Sequence, residues 1–248
     1  MKKILFIGLI AITALACKNT EKEVKEETMA TTNVEIEEVV DGEWQVLFDG
    51  KNFDNFKGYL SEGMYPEWTI EDGAMAFTPG TSGGKNIITK KEYTNFVLSL
   101  EWKIAEGGNS GIFWGVHEDA AFTEAYQTGP EIQVLDDERH PDANRGGKTH
   151  RAGALYDMIA PKDGIVKPAG EWNEVILEID HESNKGKVTM NGTELYVFPT
   201  HGDKWKGMIA KSKFKEWKGF GDYKTGHIGL QDHGDKVWYR NIKIKELN

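Results

Sequence analysis

From Trp44 onward the hydrophobic pattern repeats every second residue, and no other feature of the chain restricts its fold as strongly. In Phe96 to Ile104, the side chains of Phe96, Leu98, Leu100, Trp102 and Ile104 fall on one face, and Ser99, Glu101 and Lys103 fall on the other. That alternation is the mark of a half-buried strand. Shorter runs of the same kind predict strands at Gly111 to Val116, Glu131 to Leu135, Gly153 to Met158, Glu174 to Ile179, Lys187 to Met190, Glu194 to Phe198, His227 to Leu230 and Val237 to Ile244. Asp72-Gly73, Gly107-Gly108-Asn109, Asn184 to Gly186 and Asn191-Gly192 separate them and supply the positive-φ positions that hairpins need. Only Met208 to Trp217 lacks the alternation and carries helix-forming Lys, Ala and Glu, so one short helix is expected there. Many short strands with glycine-rich turns point to an all-β sandwich or barrel of antiparallel sheet. No fixed-period repeat supports a propeller or solenoid.

The N-terminal residues read as an address. Lys2 and Lys3 precede an apolar or small stretch from Ile4 to Ala16, and Ala14-Leu15-Ala16 leads into Cys17, the one cysteine of the chain. This is the layout of a secretory signal. Its thirteen apolar or small residues are fewer than the ~20 a spanning helix needs. A sole cysteine at this place resembles the acylation site of a bacterial lipoprotein, with Ala14 where the usual lipobox has Leu. Cys17 is therefore the expected lipidation residue, and 1–17 the signal. Residues 18–43 carry nine acids against three lysines and no aromatic residue, so they cannot bury enough apolar surface to offset ordering. They read as an acidic tether to a body spanning 44–248, and the expected location is a cell-envelope lipoprotein, in the periplasm or on the outer membrane.

Composition removes several classes. One cysteine excludes a disulfide framework and a Cys-x-x-Cys zinc cluster. A net charge of -10 opposes a nucleic-acid binder, which needs a basic face to release counterions from phosphates. The histidines His117, His140, His150, His181, His201, His227 and His233 form no closely spaced pair, so a structural zinc site is not expected. A divalent cation held by Asp136, Asp137 or Asp157 with carbonyls remains open, although no loop reads as a calcium motif. There is no Gly-x-Ser-x-Gly elbow and no Walker loop.

What remains is sugar binding or sugar chemistry. In Gly129-Pro-Glu-Ile-Gln-Val-Leu-Asp-Asp137, a strand would place Glu131 and Gln133 on one side and Ile132 and Val134 on the other. Glu131 and Asp136 are similar to the acid pair of laminarinase-like glycosidases, but Gln133 stands where those enzymes have a third carboxylate. Residues five apart on a straight strand face opposite ways, so the ~5–5.5 Å separation of a retaining pair is not available. Taken alone, Glu131 reads first as a solvated charge on a strand face. Asn109 at a glycine-rich turn and Trp114 near a strand end offer an amide for hydroxyls and a ring for a sugar face; Trp114 could as well be core. His150 and Arg151 lead into a strand ending at Tyr156 and Asp157. Asp232 and His233 follow the strand at Ile228 to Leu230, with His233 able to serve through both nitrogens or the pair able to form a simple turn.

Seven ordered motifs then carry a family resemblance: Trp44 to Phe53, Asn109 to Trp114, Gly129 to Asp136, Gly153 to Asp157, Gly170 to Asn173, Asn191-Gly192 and Gly229 to Gly234. Together they resemble the 3-keto-disaccharide hydrolase domain family across Trp44 to Leu247. The resemblance implies a concanavalin A-like jelly roll of two antiparallel sheets with its site on the concave face. It also implies cleavage of glycosides whose C3 hydroxyl has been oxidised to a ketone, and hence coupling to a sugar 3-dehydrogenase. A C3 ketone acidifies the C2 proton, so one general base can start an elimination that hydration completes. On motif position and chemistry, Glu131 or His233 is the expected base. Gln133, Asn109 and Arg151 are expected donors, Asp157 and Tyr156 serve as acid or orienting groups, Asp232 contacts substrate or orients His233, and Trp114 is the platform. The competing reading is a non-catalytic glycan-binding jelly roll on a lipid anchor, which would tolerate loss of Glu131 and His233 but not of Trp114.

Overall fold

The computed structural model describes residues 42–80 and 83–247. The expected signal sequence, Cys17 and nearly all of the acidic segment therefore lie outside the described residues. The described fold belongs to the compact unit Glu38–Asn248. No helix among the described residues is long and apolar enough to cross a membrane.

Thirteen strands are described: β1 (Gln45–Phe48), β2 (Phe56–Gly58), β3 (Trp68–Glu71), β4 (Ala74–Phe77), β5 (Ile87–Thr89), β6 (Phe96–Ile104), β7 (Asn109–Val116), β8 (Glu131–Leu135), β9 (Asn173–Asp180), β10 (Lys185–Met190), β11 (Thr193–Phe198), β12 (His227–Leu230) and β13 (Val237–Glu246). They form two antiparallel sheets, one ordered β11-β10-β9-β6-β13-β4-β3 with β1 also on β13, the other ordered β2-β5-β12-β7-β8. This is a two-sheet β sandwich, one of the two architectures the period-two pattern left open and the one the family resemblance implies.

The core lies between the sheets. Leu98, Leu100 and Trp102 of β6, Val175 and Leu177 of β9, and Met75 and Phe77 of β4 meet Ile112 and Trp114 of β7, Ile132 and Val134 of β8, and Ile228 and Leu230 of β12 in one cluster. Full burial of each such side chain contributes about 1.5–3 kcal/mol relative to leaving it in water. A second cluster of Tyr59, Ile88, Phe113, Val116 and Ala125 covers the opposite face of the smaller sheet. With both faces covered, β7 and β8 are buried at every residue, whereas β9 and β10 keep the alternation of strands with one wetter face.

Two expected elements differ. Gly153 to Met158 is not a strand. Its backbone turns to positive φ at Gly153 (81°) and Asp157 (60°), and only Leu155 makes isolated bridges, to Ile132 and Ile159. The segment still lies along β8 through main-chain bonds from Gly153 N to Gln133 O (2.8 Å), Gln133 N to Ala154 O (3.1 Å) and Tyr156 N to Glu131 O (3.0 Å). The helix α1 spans Gly202–Ile209, ahead of the expected 208–217, and a separate 3-10 turn covers Lys213–Glu216. Ser212 divides them, because its hydroxyl accepts from Phe214 N (3.2 Å) and starts a new turn.

Candidate active site

Strands β7 and β8 pair with Phe113 opposite Glu131, Gly111 opposite Gln133 and Asn109 opposite Leu135. Their outward side chains, with residues from the 213–220 segment and the 231–233 loop, line a cavity of about 300 Å³. Asn109, Glu131, Gln133, Tyr156, Lys213, Gln231 and His233 supply its polar wall, and Tyr126, Phe214, Trp217 and Phe220 its aromatic wall. The sequence parity of β8 holds: Ile132 and Val134 enter the core while Glu131 and Gln133 face the cavity.

Glu131 is 8% exposed, and among the described residues no protein hydrogen bond reaches its carboxyl. Burial pushes its pKa up to about 8; Lys213 opposes the rise and Asp142 adds to it. Among the described residues it is the one carboxylate lining the cavity. Asn109 Oδ1 and Gln231 Oε1, both on lining residues, are buried without a protein partner. Unpaired polar atoms are costly to bury, so their presence in a cavity marks positions for ligand hydroxyls.

A linked set of side chains stands behind one wall. Tyr156 donates its hydroxyl to Asp142 Oδ2 (2.8 Å), and burial together with that bond raises the phenol's pKa. His150 lies between Asp142 (Nδ1 to Oδ1, 3.1 Å) and Asp157 (Nε2 to Oδ1, 2.8 Å). Asp157 Oδ2 accepts from Lys213 N (2.6 Å), which fixes the start of the 3-10 turn, and Lys213 Nζ sits 4.1 Å from the Tyr156 ring centre. Asp157 thus positions Lys213 and His150 and does not itself line the cavity.

His233 reaches the rim, with Nε2 3.4 Å from Asn109 Nδ2. The atoms crowding its ring push its pKa below the ordinary histidine range, with Asp235 opposing and His140 adding to the shift. His140, His233 and Asp235 place one potential ligand atom each within 4.8 Å of the others, and so could hold a divalent cation. However, His140 Nδ1 accepts from Asp142 N (3.2 Å), which puts the proton of the neutral ring on Nε2. Ligation through Nε2 would require that bond to be given up. The carboxylates expected for a cation are occupied: Asp136 accepts from Gly107 N (2.7 Å) and Glu138 N (3.1 Å), and Asp137 accepts from Ala152 N (2.8 Å).

Besides Asp157, three more of the expected residues are not brought to the cavity. Trp114 shares the parity of Ile112, is 4% exposed, and packs in the core with its ring 5.7 Å from that of Phe198, so it is no sugar platform. Arg151 is drawn away by Ala143 O (Nε, 3.4 Å) and Asp163 (3.7 Å). Asp232 does not orient His233, because its carboxylate accepts from Lys85 N (3.0 Å) and Gly234 N (2.8 Å) and holds the loop. Sequence reasoning missed Asp142, Lys213, Gln231, Tyr126, Trp217 and Phe220. The run Lys213-Phe-Lys-Glu-Trp-Lys-Gly-Phe220, dense in aromatics and lysines, was the available signal.

Comparison with known proteins shows the family. A protein of Bacteroides thetaiotaomicron named 3-keto-disaccharide hydrolase is 36% identical over 230 residues, covering 82% of this chain and 78% of its own. A crystal structure of a candidate glycosyl hydrolase from Parabacteroides distasonis is 31% identical with a TM-score of 0.75, covering 83% of this chain and 94% of its own. A second from the same organism is 30% identical with a TM-score of 0.62, covering 83% of this chain and all of its own. Residues 43–245 match the family described as 3-keto-alpha-glucoside-1,2-lyase-like domain. With that match across nearly the whole folded body, the chain belongs to the 3-keto-alpha-glucoside-1,2-lyase-like domain family.

Proposed function

We propose that this chain cleaves glycosides carrying a ketone at C3, with Glu131 as the general base on C2. The observation that carries the reading is the single, buried carboxylate of Glu131 in a cavity otherwise lined by amides, aromatics, a lysine and a histidine. Ordinary retaining or inverting hydrolysis uses two carboxyl groups flanking the bond, and this cavity offers one. The relative's name, 3-keto-disaccharide hydrolase, supports the same substrate class.

In this mechanism Glu131 takes the C2 proton, and the C2–H electrons form an enediolate across C2 and C3. The enediolate collapses to restore the C3 carbonyl, a C1–C2 double bond forms, and the C1–O bond breaks with its electrons leaving on oxygen. The proton that Glu131 took from C2 passes to that oxygen, which regenerates the base, and the neutral ring of His233 at the rim hydrogen-bonds the substrate. Addition of water across C1–C2 then gives net hydrolysis. Lys213, whose ammonium acts on Glu131 through its charge, offsets the developing enediolate charge. Tyr156 orients and does not donate to substrate, since its proton is committed to Asp142. Asn109 and Gln231 accept from sugar hydroxyls.

The ketone is supplied by a sugar 3-dehydrogenase acting first. The signal-like N-terminus and Cys17 support a lipid-anchored place in the cell envelope, where such a substrate would be met. Incubation with 3-keto-trehalose and 3-keto-cellobiose beside the unoxidised parents tests the reading. Glucose release from the keto sugars alone supports it. Binding of all four without release from any would favour the non-catalytic glycan-binding alternative.

A further inference from the structure

The residues flanking the cavity form an aromatic shelf that leads out of it. Trp217 is 36% exposed, a large fraction for an indole, yet its ring is held: it stands edge-on to Phe214 (5.1 Å, 80°) and Phe220 (6.2 Å, 90°). Those two rings are buried and stack on each other at 3.9 Å. The Trp217 main-chain N–H closes the 3-10 turn on Phe214 O (2.9 Å). Tyr126, 37% exposed, stands 5.8 Å from Trp217. An exposed aromatic surface that is also fixed in place suits stacking against the C–H face of a pyranose, because little freedom is lost on binding.

Trp217 also lines a second concavity of about 290 Å³, with Ala121, Phe122, Gln127 and Lys218. Gln127 Oε1 already accepts from Glu124 N (3.0 Å) and Thr123 Oγ1 (3.2 Å), which leaves its amide N–H groups to donate outward. The first cavity, at about 300 Å³, is at the low end for a ligand pocket, so a substrate with its keto ring over Glu131 must extend beyond it. Trp217 is common to both concavities and marks the way out.

We infer that Trp217 is the platform of a leaving-group subsite that receives a pyranose ring, and that the concavity beyond it receives the next unit of a longer chain. The substrates are then keto-glycosides from disaccharides upward. This inference rests on the proposed reaction for the direction of the chain, with the keto ring at Glu131.

The test compares Trp217→Ala and Trp217→Phe with the parent chain on methyl 3-keto-glucoside, a 3-keto-disaccharide and a 3-keto-trisaccharide oxidised at its non-reducing end. Trp217→Ala is expected to raise KM for the disaccharide about tenfold, a loss several-fold greater than its loss on the methyl glycoside, and to be rescued in large part by Trp217→Phe. Equal losses on all three substrates would overturn the subsite. If Trp217→Ala does not fold, Lys218→Ala, at an exposed position, is expected to weaken the trisaccharide selectively; no change in the ratio of tri- to disaccharide would remove the outer unit. If the parent cleaves none of them, the proposed reaction fails separately. The subsite is then judged by calorimetry with unoxidised trisaccharide, where binding by the parent and its loss in Trp217→Ala sustains the platform and equal binding rejects it.

Discussion

A side chain on residue 111 would place its Cβ 2.2 Å from Glu131 Oε1, so the Glu131 carboxyl occupies space that only glycine at position 111 leaves open. The two lie on neighbouring strands, with Phe113 rather than Gly111 directly opposite Glu131, so the glutamate folds diagonally across the β7–β8 pair. Position 111 does not have positive φ, and the demand for glycine comes from this approach alone.

Gly111→Ala is therefore expected to expel the Glu131 carboxyl from its pocket while β7 still pairs. Turnover of a 3-keto-disaccharide should fall at least about 10²-fold, the scale of losing a placed proton-transfer group. Circular dichroism should show the sandwich intact. Near-parental turnover with the sheet intact would show that the observed carboxyl position is not the working one.

Glu131 also sets a pH dependence of stability. Its unfolded pKa is near 4.5 and its folded pKa about 8. Between those values the folded chain binds the extra proton, so stability falls as pH rises from about 4.5 and the loss is complete above about 8. Glu131→Gln removes that penalty. It is expected to raise Tm over the parent, by a margin that grows from pH 5 to pH 9, while abolishing most turnover. Differential scanning calorimetry at the two pH values checks the sign.

Much of this architecture was legible in sequence because its strands obey a local rule. Phe96 to Ile104 alternates and is β6, and Glu131 and Gln133 fall on the cavity side as parity requires. Parity could not tell which face of β7 was the site, because the smaller sheet is covered on both faces; Trp114 could be read as platform until the core claimed it. Gly153 to Asp157 looked like a strand because its side chains alternate, yet two residues with positive φ bend it into the wall that carries Tyr156. Lys213 and Trp217 come from a short turn fixed by Ser212 and Asp157, contacts separated in sequence by up to 56 residues. No local pattern announces such a contact.

Trp114→Ala separates core from platform. Removing a buried tryptophan typically costs about 3–5 kcal/mol, so the variant is expected to lose stability of that order in urea denaturation. The fraction that folds should retain the parental KM. A raised KM with unchanged stability would return Trp114 to the site.

Asp142→Asn tests the wall behind the cavity. Asp142 is held below the ordinary carboxylate range despite its burial, through the Tyr156 hydroxyl it accepts from, the His150 ring 3.1 Å away and the charge of Arg145. The amide weakens both contacts and frees the Tyr156 phenol. A drop in kcat of about tenfold is expected, with the Tyr156 absorbance titration moving to lower pH. A titration that stays in place would show that Asp142 does not control the phenol.

If Glu131 removes the C2 proton of a keto-glycoside, deuterium at C2 slows the reaction. With a 3-keto-disaccharide labelled there, a primary isotope effect on kcat/KM of at least about 2 is expected, and a rate that climbs with pH to a plateau above about 8 as Glu131 ionises. An isotope effect near unity, with deuterium still at C2 of the released sugar, would contradict it.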